Sequence, residues 1–221
     1  MTRFIDLSHV ITDGMVTYPG LPAPSIGEHL GRAHAEEVYG PGLTFQIGMI
    51  TMCSNTGTYL DVPFHRYADG HDLTGLDLDR VSQVPAVVVD CRGQVSVGPE
   101  VLAGRDLASC AVLFHTGHAA SFGTEAYFHD HPHLTGATAE ALVAAQVACV
   151  GIDSLNIDST ATGDRPVHSA LLAAGIPIIE HLTGLEQLPP AGFAFTAVPP
   201  KIEGMGTFAV RAHAVLGATT S

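Results

Sequence analysis

Asp61 and His65 stand four residues apart in the stretch Ser54-Asn55-Thr56-Gly57-Thr58-Tyr59-Leu60-Asp61-Val62-Pro63-Phe64-His65. Asp61 offers a hard anionic oxygen, Gly57 permits a tight bend, and Pro63 stiffens the chain between the carboxylate and the imidazole. Such a layout holds a ligand and a base side by side. The same residue types also build a plain turn, in which Asp61 caps a backbone amide and His65 packs against a neighbour. A second pair, His168 and Glu180, lies twelve residues apart. Read alone, that pair is a helix-start histidine and a strand-end glutamate that hydrogen-bond each other. The chain holds 13 histidines, densest at His115, His118, His129, His131 and His133. Pro132 inside His129-Asp130-His131-Pro132-His133 marks that run as an ordinary loop.

Short buried runs must position these side chains. Ala86–Val89, Ala111–Phe114, Ala148–Ile152 and Ile176–Glu180 have the length and flanks of inner strands. Between them, Thr135–Gln146 opens with a capping threonine and repeats apolar residues three and four apart, while His168–Ala174 stops at Gly175. Strand and helix in alternation predict an α/β domain. Asp153 and Glu180 then fall at carboxyl ends of strands, where open α/β sheets place ligand sites.

Composition narrows the function classes. The 221 residues carry 9 Lys+Arg against 22 Asp+Glu, a net charge of −13. Nine scattered cations do not make a phosphate-backbone footprint, so neither nucleic acid nor an anionic membrane surface is an expected partner. A chain that is 46% hydrophobic and only 14% charged buries a core rather than staying disordered. Met1–His9 has no secretory plan and no apolar run reaches the ~20 residues of a membrane span, so a cytoplasmic location is expected. Cys53, Cys91, Cys110 and Cys149 are far apart with no CxxC pair, which reads as small hydrophobes in a reducing compartment.

With these motifs the chain resembles the cyclase family of metal-dependent hydrolases, the group that includes bacterial kynurenine formamidase and isatin hydrolase. The family signature HxGTHxDxPxH is kept at Gly57-Thr58, Asp61, Pro63 and His65, whereas its first two histidines, metal ligands in typical members, are Asn55 and Tyr59 here. Asp6-Leu7-Ser8-His9, Gly14-Met15 and Tyr18-Pro19-Gly20 resemble the family's opening. His168–Glu180 resembles its second ligand segment, and Gly151-Ile152-Asp153 and Pro200-Lys201-Ile202-Glu203-Gly204 also match. The resemblance spans nearly the whole chain. It implies one compact domain over residues 1–221, of the swivelling β/β/α type with a mixed central sheet.

The resemblance further implies a metal-dependent hydrolase of a small amide, formamide or lactam, arylformamidase-like, as in tryptophan catabolism. Asp61, His168 and Glu180 are the implied ligands of one Zn²⁺ or Mn²⁺, because asparagine is a poor ligand and a phenol releases its proton only near pKa ~10. His65 is the implied base and then acid. Tyr59 either donates a hydrogen bond to a developing oxyanion or fills the space of the lost imidazole. Asn55 and His115 are expected on the substrate side, and the assembly is expected to be a homodimer or homotetramer. Two other readings stay open: a metal-free cyclase or lyase on the same scaffold, using His65 and Tyr59 for proton transfer, and a non-catalytic small-molecule binding protein.

Overall fold

The computed structural model describes residues 2–217. Thirteen strands and three α-helices occur among the described residues: β1 (Arg3–Asp6), β2 (Ser25–Leu30), α1 (Arg32–Tyr39), β3 (Ile47–Thr51), β4 (Tyr59–Asp61), β5 (Val84–Asp90), β6 (Ser96–Val97), β7 (Ala111–His115), β8 (His133–Leu134), α2 (Gly136–Ala144), β9 (Cys149–Ile152), α3 (Pro166–Ala173), β10 (Ile178–Glu180), β11 (Ala191–Thr196), β12 (Thr207–Ala209) and β13 (His213–Leu216). Nine of them form one sheet in the order β1-β13-β11-β5-β7-β9-β10-β4-β12. β5, β7, β9 and β10 run parallel at its centre. β11, β13 and β1 on one side and β4 and β12 on the other pair antiparallel. The sheet is therefore mixed, as expected.

Each inner strand feeds two apolar layers because successive side chains point to opposite faces. Ala111 and Leu113 of β7 enter one layer, and Val112 and Phe114 enter the other. The second layer is roofed by α2 and α3 through Ala139, Leu142, Val167, Leu171 and Leu172. The first contains Ile5 and Ala214 from one end of the strand order and Leu60 from the other, so the sheet curls over it. The strands read from the apolar runs are all present, with β10 shortened to Ile178–Glu180.

Helix ends differ by a residue or two. Thr135 caps α2 through Thr138 N–H at 3.2 Å, as its position predicts. α3 begins at Pro166 rather than His168, because proline suits a first helical turn and the Asp158 carboxylate accepts from the Val167 and His168 amides at 2.7 and 2.9 Å. No helix among the described residues is long and apolar enough to cross a membrane. Cys91 and Cys149 are buried, while Cys53 and Cys110 are half-buried.

Candidate active site

Residues two apart on a strand share a face, so Tyr59 and Asp61 of β4 point the same way. Glu180 of β10 lies opposite Tyr59, and Thr207 of β12 lies opposite Asp61. Four polar side chains thus meet on one face of three adjacent strands. The single turn Pro63–His65 then swings His65 back over Asp61. Gly206 makes that return possible: a Cβ there would sit 2.3 Å from the His65 backbone nitrogen. From the other side, the first turn of α3 delivers His168.

Proton positions follow from the donors. Thr207 has one hydroxyl proton and gives it to Asp61 Oδ1, so the 2.7 Å contact between His65 Nδ1 and Thr207 Oγ1 is an imidazole N–H donating to the hydroxyl. That leaves His65 Nε2 with a free lone pair. His168 Nδ1 donates to Asp158 Oδ2 at 2.7 Å, and its Nε2 stands 3.7 Å from both Asp61 Oδ2 and Glu180 Oε1. Asp61 Oδ2 is buried without a hydrogen-bond partner.

Charges are strongly coupled here. Burial works against the imidazolium of His168, but its bond to Asp158 and the Asp61 and Glu180 carboxylates hold its pKa up at about 10. Burial also pushes Asp61 up, yet His168, His65 and the Thr207 hydroxyl outweigh it and keep the acid below the usual carboxylate range. An ion-free site therefore carries a protonated His168 between carboxylates. This donor set suits a cation: Asp61, His65 and His168 each offer one ligand atom, all within 4.8 Å of one another.

Two residues take positions other than those expected. Tyr59 neither aims its proton outward nor merely fills space: its hydroxyl donates to Glu180 Oε2 at 2.7 Å. Burial, then the charges of Glu180 and Asp61, raise this phenol well above its ordinary pKa of 10.0, which keeps it protonated and unfit as a ligand. Glu180, expected among the three ligands, has its other oxygen bonded to Ile157 N–H at 2.6 Å and lies outside the compact group, whose third member is His65. Glu180 Oε1 retains a second lone pair toward His168.

Asn55 accepts from Ser54 Oγ at 2.9 Å and stands near enough to the Tyr59 phenol to influence it. His115 is set apart. Its Nε2 is 3.9 Å from Asp153 Oδ2, and it lines a separate cavity with Asp90, Arg92, Arg105 and Leu185. Asp153, expected at a ligand site, instead accepts from the Thr116 and Gly117 amides at 2.7 and 2.9 Å and holds that turn. In the histidine-rich loop, His131 bonds Thr160 at 3.0 Å and His129 bonds Glu125 at 3.2 Å.

Asp158, Thr207 and His181 were not read as site residues. His181 is fully buried in a left-handed conformation (φ 56), a strain that residues near functional sites often carry. The Tyr59 proton is committed to Glu180, so His181 Nε2–H donates to the Tyr59 oxygen at 3.3 Å and Tyr127 O–H donates to His181 Nδ1 at 2.8 Å. Burial lowers the His181 pKa to about 3, which keeps this chain of donors neutral. His9 stacks on Phe122 with ring centres 3.6 Å apart, and its buried Nε2 has no partner.

Known proteins share this fold and sequence. Kynurenine formamidase from Salinibacter ruber is 36% identical over 168 residues, 75% of this chain and 78% of the relative. The enzyme of the same name from Geobacillus thermodenitrificans is 28% identical over 200 residues, 90% of each chain. Isatin hydrolase A from Ralstonia solanacearum superimposes with a TM-score of 0.81 at 23% identity, covering 97% of this chain and 92% of that one. At that identity the superposition carries the fold alone. The family model described as putative cyclase matches residues 5–159, which contain β4, the Pro63–His65 turn and Asp158. The protein is thus a member of the cyclase family.

Proposed function

We propose that the protein hydrolyses the C–N bond of a small amide, formamide or lactam at the Asp61–His65–His168 cluster, with one divalent cation, Zn²⁺ or Mn²⁺, held there. One observation carries this reading: the unpartnered Asp61 Oδ2, 3.7 Å from a His168 Nε2 whose other nitrogen is anchored on Asp158. A buried carboxylate oxygen without a donor is a costly arrangement that a cation relieves. A carboxylate behind the ligating imidazole fixes its tautomer and raises its basicity.

Asp61 Oδ2 and His168 Nε2 would hold the ion, with Glu180 Oε1 beside them. A divalent ion in such a site lowers the pKa of water from 15.7 towards ~7 and polarises a carbonyl. His65 does the proton work. Thr207 takes its Nδ1–H, its side chain is 35% exposed, and its free Nε2 can accept a proton from the attacking water and return it to the leaving amine. Asp61 is doubly placed, because Thr207 ties its Oδ1 to the base while Oδ2 faces the cation position. A cavity of about 700 Å³ is lined by Arg66, Asp164, Arg165 and Ser169; Arg66 and Ser169 follow His65 and His168 in sequence, but neither histidine lines it. Formamide hydrolysis is the activity named for the relatives, and the acid–base arrangement suits it.

A second reading has its own support. The compact group that includes His65 favours that histidine as a third ligand. One experiment tests both: metal analysis and turnover of N-formyl-aromatic amides and isatin-type lactams, for the wild type and His65→Ala purified without chelator. Close to one Zn or Mn per chain in both, with turnover lost in the variant, supports His65 as the base. Loss of metal from the variant makes it a ligand. Near-zero metal in the wild type, with activity unchanged by chelator, removes the metal-dependent reading.

A further inference from the structure

His115 stands outside the reaction centre, at a second place where strands end together. β5 and β7 run parallel, with Val88 opposite Leu113 and Asp90 opposite His115. Residues two apart on a strand share a face, so Asp90 and His115 crown the face that sends Val88 and Leu113 into the first apolar layer. The single turn Leu185–Gln187 packs beside β7, burying Leu185 in that layer and leaving Glu186 exposed. These elements surround a cavity of about 270 Å³. Its wall is apolar, made of Val88, Leu185, Leu188 and Pro190. Its rim is charged, with Arg92 and Arg105 beside His115 and the two acids Asp90 and Glu186.

Hydrogen bonds leave some of these groups committed and others free. Asp90 accepts from Arg92 Nε and Nη2 at 2.9 and 2.6 Å, which offsets its charge. Asp153, whose Oδ2 is 3.9 Å from His115 Nε2, is held by the Thr116 and Gly117 amides and the Thr116 hydroxyl. His115 therefore has no hydrogen-bond partner at either ring nitrogen among the described residues, although its side chain is only 9% exposed. Arg105 Nε donates to Val101 O at 3.3 Å, and its terminal nitrogens have no partner among the described residues. A nearly buried imidazole and a guanidinium fork thus line one cavity with donors unused. Buried polar groups are seldom left so, and a bound acceptor relieves them.

We propose that this cavity is a binding site for a small organic monocarboxylate with an apolar body. The planar fork of Arg105 matches a carboxylate, and His115 adds a further N–H beside it. The apolar wall covers the body of the ligand, which a bare inorganic anion would leave unused. Asp90 and Glu186 set the upper limit on charge: a second negative charge on the ligand would meet them, so a dianion is rejected. The volume falls just below the range of pockets for drug-sized molecules, which suits an acid the size of one ring. Asp61, His65 and His168 line no part of this cavity, so its occupancy is independent of the hydrolytic reading.

Benzoate, acetate and inorganic phosphate, titrated separately into the full-length protein, test the proposal. Calorimetry should give benzoate a dissociation constant on the order of 1 mM, with acetate and phosphate at least ~10-fold weaker. Arg105→Gln and His115→Gln should each weaken benzoate by about 10-fold. Amide ¹H–¹⁵N spectra of the wild type place the ligand: shifts at His115, Thr116 and Leu185–Leu188 support this cavity, and shifts confined to Tyr59–His65 overturn it. Those spectra also decide the matter if circular dichroism shows that a variant has failed to fold. No saturation by ~20 mM benzoate, acetate or phosphate binding as tightly as benzoate, or folded variants that bind like the wild type each overturn the proposal.

Discussion

Two antiparallel ladders flank the Cys53–Thr58 loop in sequence and are built in opposite ways. In β2/β3 every strand residue is exposed or half-exposed, and most of the large side chains are apolar, Glu28 and His29 apart. In β4/β10 every residue is buried and half of the side chains are polar, namely Tyr59, Asp61 and Glu180. Ordinary partition of residue types would have reversed the two. The inversion separates their tasks. Polar groups are buried where neighbouring strands can satisfy them one by one, which fixes their geometry, whereas the apolar groups of the hairpin meet solvent in this chain.

The largest expected effect lies in the buried ladder. Asp61→Asn keeps an acceptor for the Thr207 hydroxyl but removes the negative charge beside His168. Turnover should drop by at least ~10³-fold, the equivalent of several kcal/mol of electrostatic stabilisation, with metal content falling in parallel. Glu28→Gln, an equal loss of charge on β2, should leave turnover unchanged. Steady-state kinetics and metal analysis of both variants check the contrast, which fails if the two behave alike.

How much of this was legible differs between the ladders for the same reason. Asp61, Pro63 and His65 sit close along the chain, so their spacing drew attention to them, whereas His168 and Glu180 read alone as a hydrogen-bonded structural pair and entered the site only through the resemblance to the cyclase family. Thr207 lies 146 residues from Asp61 and meets it only through the β12/β4 register, which no local pattern encodes. Asp158 precedes His168 by 10 residues in an irregular loop, where an aspartate reads as a turn residue. The role of Tyr59 was open between two readings because its partner, Glu180, is set by cross-strand pairing. The inner strands β5, β7 and β9 were visible as continuous apolar runs. β2 and β3 were not, because a hairpin apolar on both faces lacks the alternation that marks a half-buried strand.

Stability gives the next contrast. Leu60 is fully buried in β4, and Leu60→Ala should cost about 2–5 kcal/mol. Ile50→Ala in β3, where the side chain is half-exposed, should cost no more than about 0.5 kcal/mol. Denaturant titrations of the two variants check the contrast.

Acid–base linkage sharpens the comparison further. His168 has a folded pKa of about 10 in the ion-free site, above its unfolded value of 6.5. Its contribution is therefore fully present below pH 6.5 and is lost as pH rises through about 10. Chelator-treated protein should show a melting temperature that falls over that interval. His168→Asn should flatten the fall, and bound metal, which displaces the proton, should do so as well.

Within the buried ladder, the smallest effect on turnover belongs to Tyr59→Phe. The ring keeps its place, but Glu180 Oε2 loses its 2.7 Å donor and His181 Nε2 loses its acceptor. Leaving buried polar atoms unpaired costs about 1–3 kcal/mol, to be read in a denaturant titration. Turnover separates the roles of the phenol. If Tyr59 donates to a developing oxyanion, deletion of that donor should lower kcat by ~10²–10³-fold with KM little changed. The hydroxyl has one proton and Glu180 already holds it, so the expected change in kcat is only a few-fold. A large fall in kcat with stability preserved would instead mean that the phenol turns away from Glu180 during the reaction, and that the buried ladder rearranges where the present geometry has it fixed.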